Sequence, residues 1–361
     1  MTTSATPNRP SPSRLEAETP ETLRARFAAW RAAQRLPAVR DFTKLMGDAS
    51  ARQYFRAALD DGTTQILMVM PAGAASASEE ITNFRGTLAE PPFLEIARVL
   101  ASCGLAVPRI LHVHLPERWI VLEDLGDRLL ATAVTADGGR DRAAWYRRAI
   151  DVLVRLQQRM TGRDPTACVA FQRTFDAALL HWEFDHFWEF ALVARGIMPP
   201  ASVRQLFADC THDMVQTIAT MPHGFTHRDF QSRNLMLRGD EIVMIDFQDA
   251  LVGPYIYDLV ALLRDSYIAL AAEEVDTLVA YYAQATDRAV PTTRHDFDLV
   301  TVQRKMKDAG RFVYIDQVKG NPNFLPFIPT SLQYVRAALL RLPEYAQFLE
   351  ALTPYVPEWR T

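Results

Sequence analysis

One segment of the chain, residues 227–234, constrains the possible folds more than any other feature. It reads His-Arg-Asp-Phe-Gln-Ser-Arg-Asn, and Asp246 follows Asn234 by twelve residues within the run Ile-Asp-Phe-Gln. Residues 235–245 between them have the pattern of two short strands joined by a turn that contains glycine. Such a hairpin brings Asn234 and Asp246 to neighbouring strand ends. The spacing therefore predicts that Asp229, Asn234 and Asp246 form one site.

These three side chains have the chemistry that phosphoryl transfer requires. The full pattern, His-x-Asp-x-x-x-x-Asn followed by a hairpin and an apolar-Asp-Phe run, is typical of the catalytic loop of kinases. A carboxylate at Asp229 can orient an acceptor hydroxyl and take its proton. Asn234 and Asp246 offer oxygen ligands to a Mg²⁺ ion that bridges nucleotide phosphates. His227 is expected to brace the loop. The weaker alternative is a helix cap with satisfied polar groups.

The N-terminal third of the chain has the pattern of an antiparallel sheet. Residues 21–36 have helical spacing, and an amphipathic helix is expected at 93–103. Residues 1–20 have the composition of a disordered tail, and residues 71–92 that of a mobile loop. Five strands are expected, at 42–46, 53–59, 64–70, 109–114 and 119–123.

After Gly126 the pattern becomes helical, apart from the hairpin already described. Helices are expected at 141–160, 173–195, 200–221, 255–270, 273–285, 297–317 and 331–352. The order predicts a β-rich nucleotide-binding lobe at 21–125 and a helical catalytic and substrate lobe at 126–361. A hinge is expected near residues 123–127, with the ligand in the cleft between the lobes.

Charge and cysteine content exclude several classes of function. The net charge of −4 does not suggest a nucleic-acid-binding surface. Cys103, Cys168 and Cys210 are far apart and lack Cys-x-x-Cys spacing, so a disulfide framework or zinc site is not expected. No apolar run of 18 residues or secretory signal is present, so we expect no membrane partner. A cytoplasmic monomer that acts on a small molecule is expected.

Backbone groups at two places are expected to bind the nucleotide. The small-residue loop 47–52, with Gly47 and Ser50, lies between two predicted strands, where backbone N–H groups can approach phosphate oxygens. Many β-turns have a similar composition, so only this position favours a phosphate-covering role. The predicted hinge, with Glu123 and Leu125, is expected to bind the adenine edge through its backbone.

The chain lacks the lysine that kinases place on the third strand of the sheet. Residues 64–70 contain no lysine, and four of the 39 basic residues of the chain are lysines. Either the enzyme is impaired, or another cation neutralises the phosphates, and arginine can do so through its planar fork. Arg52 is the preferred candidate, followed by Arg56 and Lys44. The alternative is that both arginines are solvated.

Residues 181–190 are dense in aromatic, acidic and histidine side chains. A sugar site is one interpretation, with Trp182 stacking on the ring and Glu183 or Asp185 accepting hydroxyls. The histidines and acids could also suggest a metal site, but they are not spaced like the ligands of a single metal ion. Aromatic stripes on helices most often belong to the core.

From about residue 37 to 340 the chain resembles the aminoglycoside phosphotransferase and choline kinase branch of the protein-kinase-like superfamily. Gln248 follows Phe247 where protein kinases have glycine, and no Ala-Pro-Glu segment is recognisable. The resemblance implies an α+β, bilobal protein-kinase-like fold with a small antiparallel five-stranded β lobe and a large, mainly helical lobe. It implies ATP and Mg²⁺ as cofactors. It also implies that Asp258 braces the catalytic loop, although an ordinary acid at a helix start is the alternative.

Several longer segments narrow this resemblance to bacterial sugar kinases of cell-wall recycling. Those enzymes phosphorylate the anomeric hydroxyl of N-acetylmuramate and N-acetylglucosamine, so the resemblance implies a sugar 1-phosphate product. The residue chemistry alone leaves open a kinase of an aminoglycoside, choline or another small hydroxyl compound, or a nucleotide-binding pseudokinase. The segments are GDASARQYFR, PPFLEIARVLASCGLAVPRIL, LEDLGD, THRDFQSRNLML and IDFQDALVGPYIYDLVALLRDSY.

Overall fold

The computed structural model describes residues 19–45, 52–71 and 88–360. The predicted tail 1–20 and loop 71–92 lie largely outside these residues. Contacts divide the described chain into two compact units. The first comprises 19–45, 52–71 and 111–124, and the second comprises 88–110 and 125–360. Among the described helices, none is long and apolar enough to cross a membrane.

The first unit is one helix packed on a five-stranded antiparallel sheet, as predicted. Helix α1, Pro20–Ala33, begins after Thr19, whose hydroxyl accepts the N–H of Thr22. The strand order is β1-β2-β3-β5-β4. The strands are β1 Val39–Lys44, β2 Gln53–Leu59, β3 Thr64–Val69, β4 Ile110–His114 and β5 Trp119–Glu123.

Strand alternation gives the two faces of this sheet different environments. Phe55 and Ala57 of β2 are buried against α1, where Phe27 packs edge-on to Trp119. Arg56 therefore lies on the opposite face of the sheet, where β2 pairs with β3. The sequence alone could not decide which face α1 covers.

The second unit is mainly helical, with two small two-stranded sheets. The sheets pair β6 with β9 and β7 with β8. The strands are β6 His223–Thr226, β7 Leu235–Arg238, β8 Glu241–Met244 and β9 Leu251–Pro254. The helices are α2 Pro92–Ser102, α3 Leu130–Ala133, α4 Arg142–Met160, α5 Ala177–His186, α6 Ala201–Thr220, α7 Tyr257–Leu263, α8 Ala272–Ala285, α9 Val290–Lys319, α10 Ile328–Leu339 and α11 Ala346–Leu352.

Helix α2 belongs to this second unit, whereas the predicted first lobe, 21–125, included it. Its Phe93 ring stacks on Phe247 with centroids 5.0 Å apart. The Glu95 carboxylate accepts the backbone N–H of Val169 at 3.0 Å. These contacts assign α2 to the second unit. They join segments that are distant in sequence, so the order of elements along the chain does not predict them.

Two predicted helices are shorter in the structure, and in each case a carboxylate hydrogen bond lies at the end that differs from the prediction. The helix predicted at 255–270 ends at Leu263, and the Asp265 carboxylate accepts the N–H of Tyr267 in a turn. The helix predicted at 173–195 begins at Ala177, since the Asp176 carboxylate caps it through the N–H of Leu179.

Helix α9 crosses α5 and the π-helical segment Phe187–Leu192 at very short range. A Cβ atom added to Gly310 would lie 2.6 Å from the carbonyl oxygen of His186 and 2.9 Å from the Cα of Phe187. Both are backbone atoms, which cannot rotate away as a side chain can. Glycine at this position therefore sets the distance between the helices.

Replacement of Gly310 by alanine should lower the free energy of unfolding by about 1–3 kcal/mol, because overpacking outweighs the better helix propensity of alanine. Urea unfolding followed by circular dichroism measures the change. Gly224→Ala is the matched control, since a Cβ there meets open space. A Gly310→Ala protein as stable as the wild type would contradict this account of the helix crossing.

Candidate active site

The catalytic loop begins where β6 ends, and a single carboxylate fixes its first turn. Asp258, in the first turn of α7, accepts the backbone N–H of His227 at 2.7 Å and of Arg228 at 2.9 Å. Burial raises the pKa of Asp258 to about 6, although these two donors favour its ionised form. Asp258 therefore makes the contacts expected of a brace, rather than those of a solvated acid at a helix start.

Two residues of the motif have a left-handed backbone, which non-glycine residues rarely adopt. The φ angle is 76° at Arg228 and 64° at Asp246. Such conformations persist only where surrounding contacts enforce them, and they cluster at functional sites. At Arg228 those contacts include Asp258. No feature of the sequence predicts these two backbone conformations.

The hairpin of β7 and β8 brings Asn234 next to Asp246, as the spacing predicted. Leu235 faces Met244 across the hairpin, and the N–H of Ile245 donates to the carbonyl of Asn234 at 3.0 Å. The Asn234 amide nitrogen donates to the carbonyl of Asp229 at 2.9 Å. These bonds link Asn234 to Asp229 and to Ile245, the residue that precedes Asp246.

Gln248, where protein kinases have glycine, holds the Asp246 side chain. Its amide nitrogen donates to Asp246 at 3.1 Å and to Asp249 at 2.8 Å. Arg173, a buried side chain, donates to the carbonyl of Gln248 at 3.0 Å. Gln248 was noted in the sequence only as a departure from protein kinases, and the structure gives it a positioning contact.

The donors at this site fit a magnesium ion held jointly by protein and phosphates. The Asn234 amide nitrogen is bonded to the loop, so its oxygen is the atom that can face a cation. Asp246 adds an anionic oxygen. Among the described residues, no group of three or more His, Cys, Asp and Glu side chains could hold a metal alone. Mg²⁺ is usually bound through one or two carboxylates and substrate phosphates, and Asn234 and Asp246 offer oxygen atoms of this kind.

Arg304 of α9 is a site residue that sequence reasoning missed. It is buried, and it donates to the carbonyl of Arg228 at 2.7 Å and to the Asp229 carboxylate at 3.3 Å. The Asp229 side chain keeps 36% of its surface exposed. Burial alone would raise the pKa of Asp229, but the charges of Arg304 and Lys307 together lower it. Asp229 is therefore a carboxylate at neutral pH.

Glu183 braces the catalytic loop instead of facing an acceptor. It is 1% exposed and accepts the Gln303 amide at 2.6 Å, and its other oxygen lies 3.5 Å from the guanidinium of Arg228. The predicted contact of Glu183 with sugar hydroxyls therefore has no support from its surroundings.

Trp182, Glu183 and Asp185 do not share one face of α5, since successive residues turn by about 100°. Asp185 pairs with Arg204 of α6 at 2.9 Å. Trp182 keeps 39% exposure, and its ring stacks on His186 at 4.8 Å. Trp182 thus stays a candidate for stacking on a substrate.

Only some of the residues predicted to bind nucleotide are among the residues that the structure describes. Gly47 and Ser50 lie outside the described residues. Arg56 forms a forked ion pair with Asp124, with nitrogen–oxygen distances of 2.6 and 3.0 Å. Glu123 is buried at the end of β5, whereas Leu125 and Arg52 are half-buried.

Comparisons with known proteins agree with this architecture. The profile of the phosphotransferase enzyme family matches residues 41–291. The chain is 31% identical over 325 residues to the N-acetylmuramate/N-acetylglucosamine kinase of Neisseria meningitidis serogroup B, covering 88% of this chain and 91% of that protein. It is also 31% identical over 313 residues to the protein of that name from Pseudomonas aeruginosa, covering 84% of this chain and 86% of that one.

Solved structures share the fold at low sequence identity. A choline/ethanolamine kinase family protein from Mesorhizobium loti has a TM-score of 0.60 and 17% identity, covering 92% of this chain and 98% of that one. The ADP-bound aminoglycoside phosphotransferase APH(2'')-Ib has a TM-score of 0.58 and 15% identity, covering 87% and 97%. The predicted protein-kinase-like fold is confirmed.

Proposed function

Because the chain belongs to the phosphotransferase enzyme family, we propose that it is an ATP-dependent sugar kinase. Its proposed acceptor is N-acetylmuramate or N-acetylglucosamine, phosphorylated at the anomeric hydroxyl during peptidoglycan recycling in the cytoplasm. The observation that carries the proposal is 31% identity to a kinase of these sugars over 88% of the chain. The presence of Asp229, Asn234 and Asp246, with Asn234 bonded to Asp229 and to the residue before Asp246, supports a working enzyme rather than a pseudokinase.

In this mechanism Asp229 orients the anomeric hydroxyl toward the γ-phosphorus of ATP. The sugar oxygen forms a bond to phosphorus while the bond from phosphorus to the β,γ-bridging oxygen breaks, and ADP leaves. The hydroxyl proton passes to Asp229. Since the transition state is loose, the oxygen needs little activation before the old bond breaks. A carboxylate with a lowered pKa can therefore serve, because its main task is orientation.

Asn234 and Asp246 would hold Mg²⁺, which would neutralise charge on the phosphates during transfer. Gln248 keeps the Asp246 carboxylate in place through its amide nitrogen. Arg304 fixes Asp229 through its hydrogen bond to the same loop. Asp258 holds the first turn of this loop through the backbone N–H groups of His227 and Arg228.

The sheet of the first unit is the proposed nucleotide-binding element. Gly47, Ser50 and the backbone of Glu123 and Leu125 are proposed contacts for the nucleotide. Arg52 remains the preferred replacement for the missing lysine, ahead of Arg56 and Lys44.

A cationic acceptor, such as an aminoglycoside or choline, has less support from the site. Such acceptors generally need a strongly acidic pocket. Near Asp229 the structure places Arg304, and the charge of Lys307 acts on the same carboxylate. The acid on the neighbouring segment of α5, Glu183, is already paired.

The position of transfer can be tested with a blocked substrate. Methyl N-acetylglucosaminide, whose anomeric oxygen carries a methyl group, should not be phosphorylated, whereas free N-acetylglucosamine or N-acetylmuramate should give a sugar 1-phosphate. Phosphorus NMR of the product locates the phosphate. A phosphorylated methyl glycoside would show that another hydroxyl reacts and would refute the proposed position.

A further inference from the structure

One face of α9 leads from the catalytic carboxylate to a group of aromatic rings. At one end Arg304 contacts Asp229 at 3.3 Å. At the other end the Tyr314 ring lies 5.3 Å from the ring of His186, on which Trp182 stacks. The side chains of this face recur every three or four residues, the spacing at which helix residues are neighbours. They are Arg304, Lys307, Arg311 and Tyr314.

Lys307 is the first side chain along this part of α9 that reaches solvent. The ten residues before it, 297–306, are all buried, whereas the Lys307 side chain is 15% exposed. It lies one turn beyond Arg304, a rise of about 4.5 Å along the axis. That distance is comparable with the width of a sugar ring. A substrate held at Asp229 would therefore bring a ring substituent close to Lys307.

The lysine carries a positive charge that its protein partner only partly neutralises. Its ammonium nitrogen lies 3.1 Å from Asp308, but the same carboxylate also binds Lys305 at 2.5 Å. Lys305 and Lys307 therefore share one carboxylate, although burial lowers the pKa of Lys305. Burial also opposes the charge of Lys307, yet Asp308 holds the pKa of Lys307 above its ordinary value. Lys307 is therefore an ammonium at neutral pH.

The charge of Lys307 acts on both the catalytic carboxylate and the aromatic group. Burial would raise the pKa of Asp229, but Arg304 and Lys307 lower it. Burial lowers the pKa of His186 to about 4, and the charges of Arg311 and Lys307 act in the same direction. His186 is therefore neutral at physiological pH, so it supplies no competing positive charge.

Resting on the proposed function, we infer that Lys307 binds the lactyl carboxylate of N-acetylmuramate. The two proposed acceptors differ in this group alone, since N-acetylglucosamine has a hydroxyl where N-acetylmuramate has the lactyl ether. An ammonium one helical turn from the contact to Asp229 can pair with the carboxylate while the anomeric hydroxyl stays at Asp229. Lys307 is then the residue that determines preference for the acidic sugar.

The test compares both sugars in one variant. Lys307→Met should lower the ratio of kcat/KM for N-acetylmuramate to kcat/KM for N-acetylglucosamine by about ten- to a hundredfold, the usual effect of a lost charged hydrogen bond. Lys307→Arg keeps the charge and should retain most of the ratio. Both kcat/KM values are measured on the same preparation of a variant. A smaller fraction of folded protein lowers both values equally and leaves their ratio unchanged. Calorimetric titration without ATP should show the same loss of N-acetylmuramate affinity.

Lys319→Met, the same substitution at the end of the same helix, is the matched control and should keep the wild-type ratio. An unchanged ratio in Lys307→Met would overturn the inference, including the case in which activity toward both sugars falls equally. A wild-type enzyme that uses N-acetylglucosamine but neither binds nor phosphorylates N-acetylmuramate would overturn the inference about Lys307 and leave the proposed sugar kinase activity standing. A wild type inert toward both sugars would overturn the proposed function as well.

Discussion

Replacement of Asp229 by asparagine should lower kcat by about 10²–10⁴-fold, the usual contribution of a positioned proton acceptor, while ATP still binds. The amide has the shape of the carboxylate, so Arg304 can keep its contact, and Asn234 and Asp246 remain. The group that orients the acceptor and takes its proton is lost. Steady-state kinetics gives kcat, and calorimetry with a non-hydrolysable ATP analogue gives the nucleotide affinity.

Asp209→Asn is a suitable control for this change. Asp209 is an exposed carboxylate on α6 that accepts a hydrogen bond from Gln205, and it lies outside the motif. It should retain wild-type kinetics. A loss in kcat of tenfold or less in Asp229→Asn would rule out Asp229 as the proton acceptor. Loss of ATP binding in the same variant would instead point to a disrupted loop.

Replacement of Asp246 should abolish most of the effect of Mg²⁺ on nucleotide affinity. Without an anionic oxygen beside Asn234, the affinity for ATP with Mg²⁺ present should fall by about tenfold or more, as for other lost charged contacts. Acceptor binding should change less. Calorimetry with and without Mg²⁺ separates the two effects.

Two substitutions make this test independent of backbone strain. Asp246 has a φ angle of 64°, which asparagine tolerates better than alanine. Asp246→Asn should therefore keep the fold and still lose the magnesium effect, and Asp246→Ala should show the same loss. Asp240→Ala, at the exposed tip of the same hairpin, is the control. Equal nucleotide affinity in wild type and both variants would exclude Asp246 as a metal ligand.

The central geometry of the site was predictable because it depends on residues that are close in sequence. A turn between two short strands fixes where Asn234 and Asp246 lie, whatever the rest of the chain does. The five strands of the first unit were predictable for the same reason, since each follows from local alternation and turn residues. The family resemblance predicted that Asp258 braces the catalytic loop. Its hydrogen bonds to the backbone of that loop support this role.

Contacts between distant segments were not predictable in this way. Arg304 lies 75 residues from Asp229, within a helix whose apolar pattern predicts only burial. No motif marks it, and a buried arginine can be recognised only when its partners are known. The end of α7 was missed for a related reason, because Asp265 turns its carboxylate to the N–H of Ser232 in the catalytic loop. Residues 182–185 were grouped by composition, although the helix directs them to different neighbours.

Helix α9 begins at Val290, and the match to the phosphotransferase enzyme family ends at residue 291. The residues that the profile matches thus contain the motif of the catalytic loop but not Arg304 and Lys307 of α9. A match to the profile alone therefore carries no information on these two side chains. If Lys307 binds the lactyl carboxylate as inferred, assignment of an acceptor from sequence requires comparison of α9 as well as the catalytic loop.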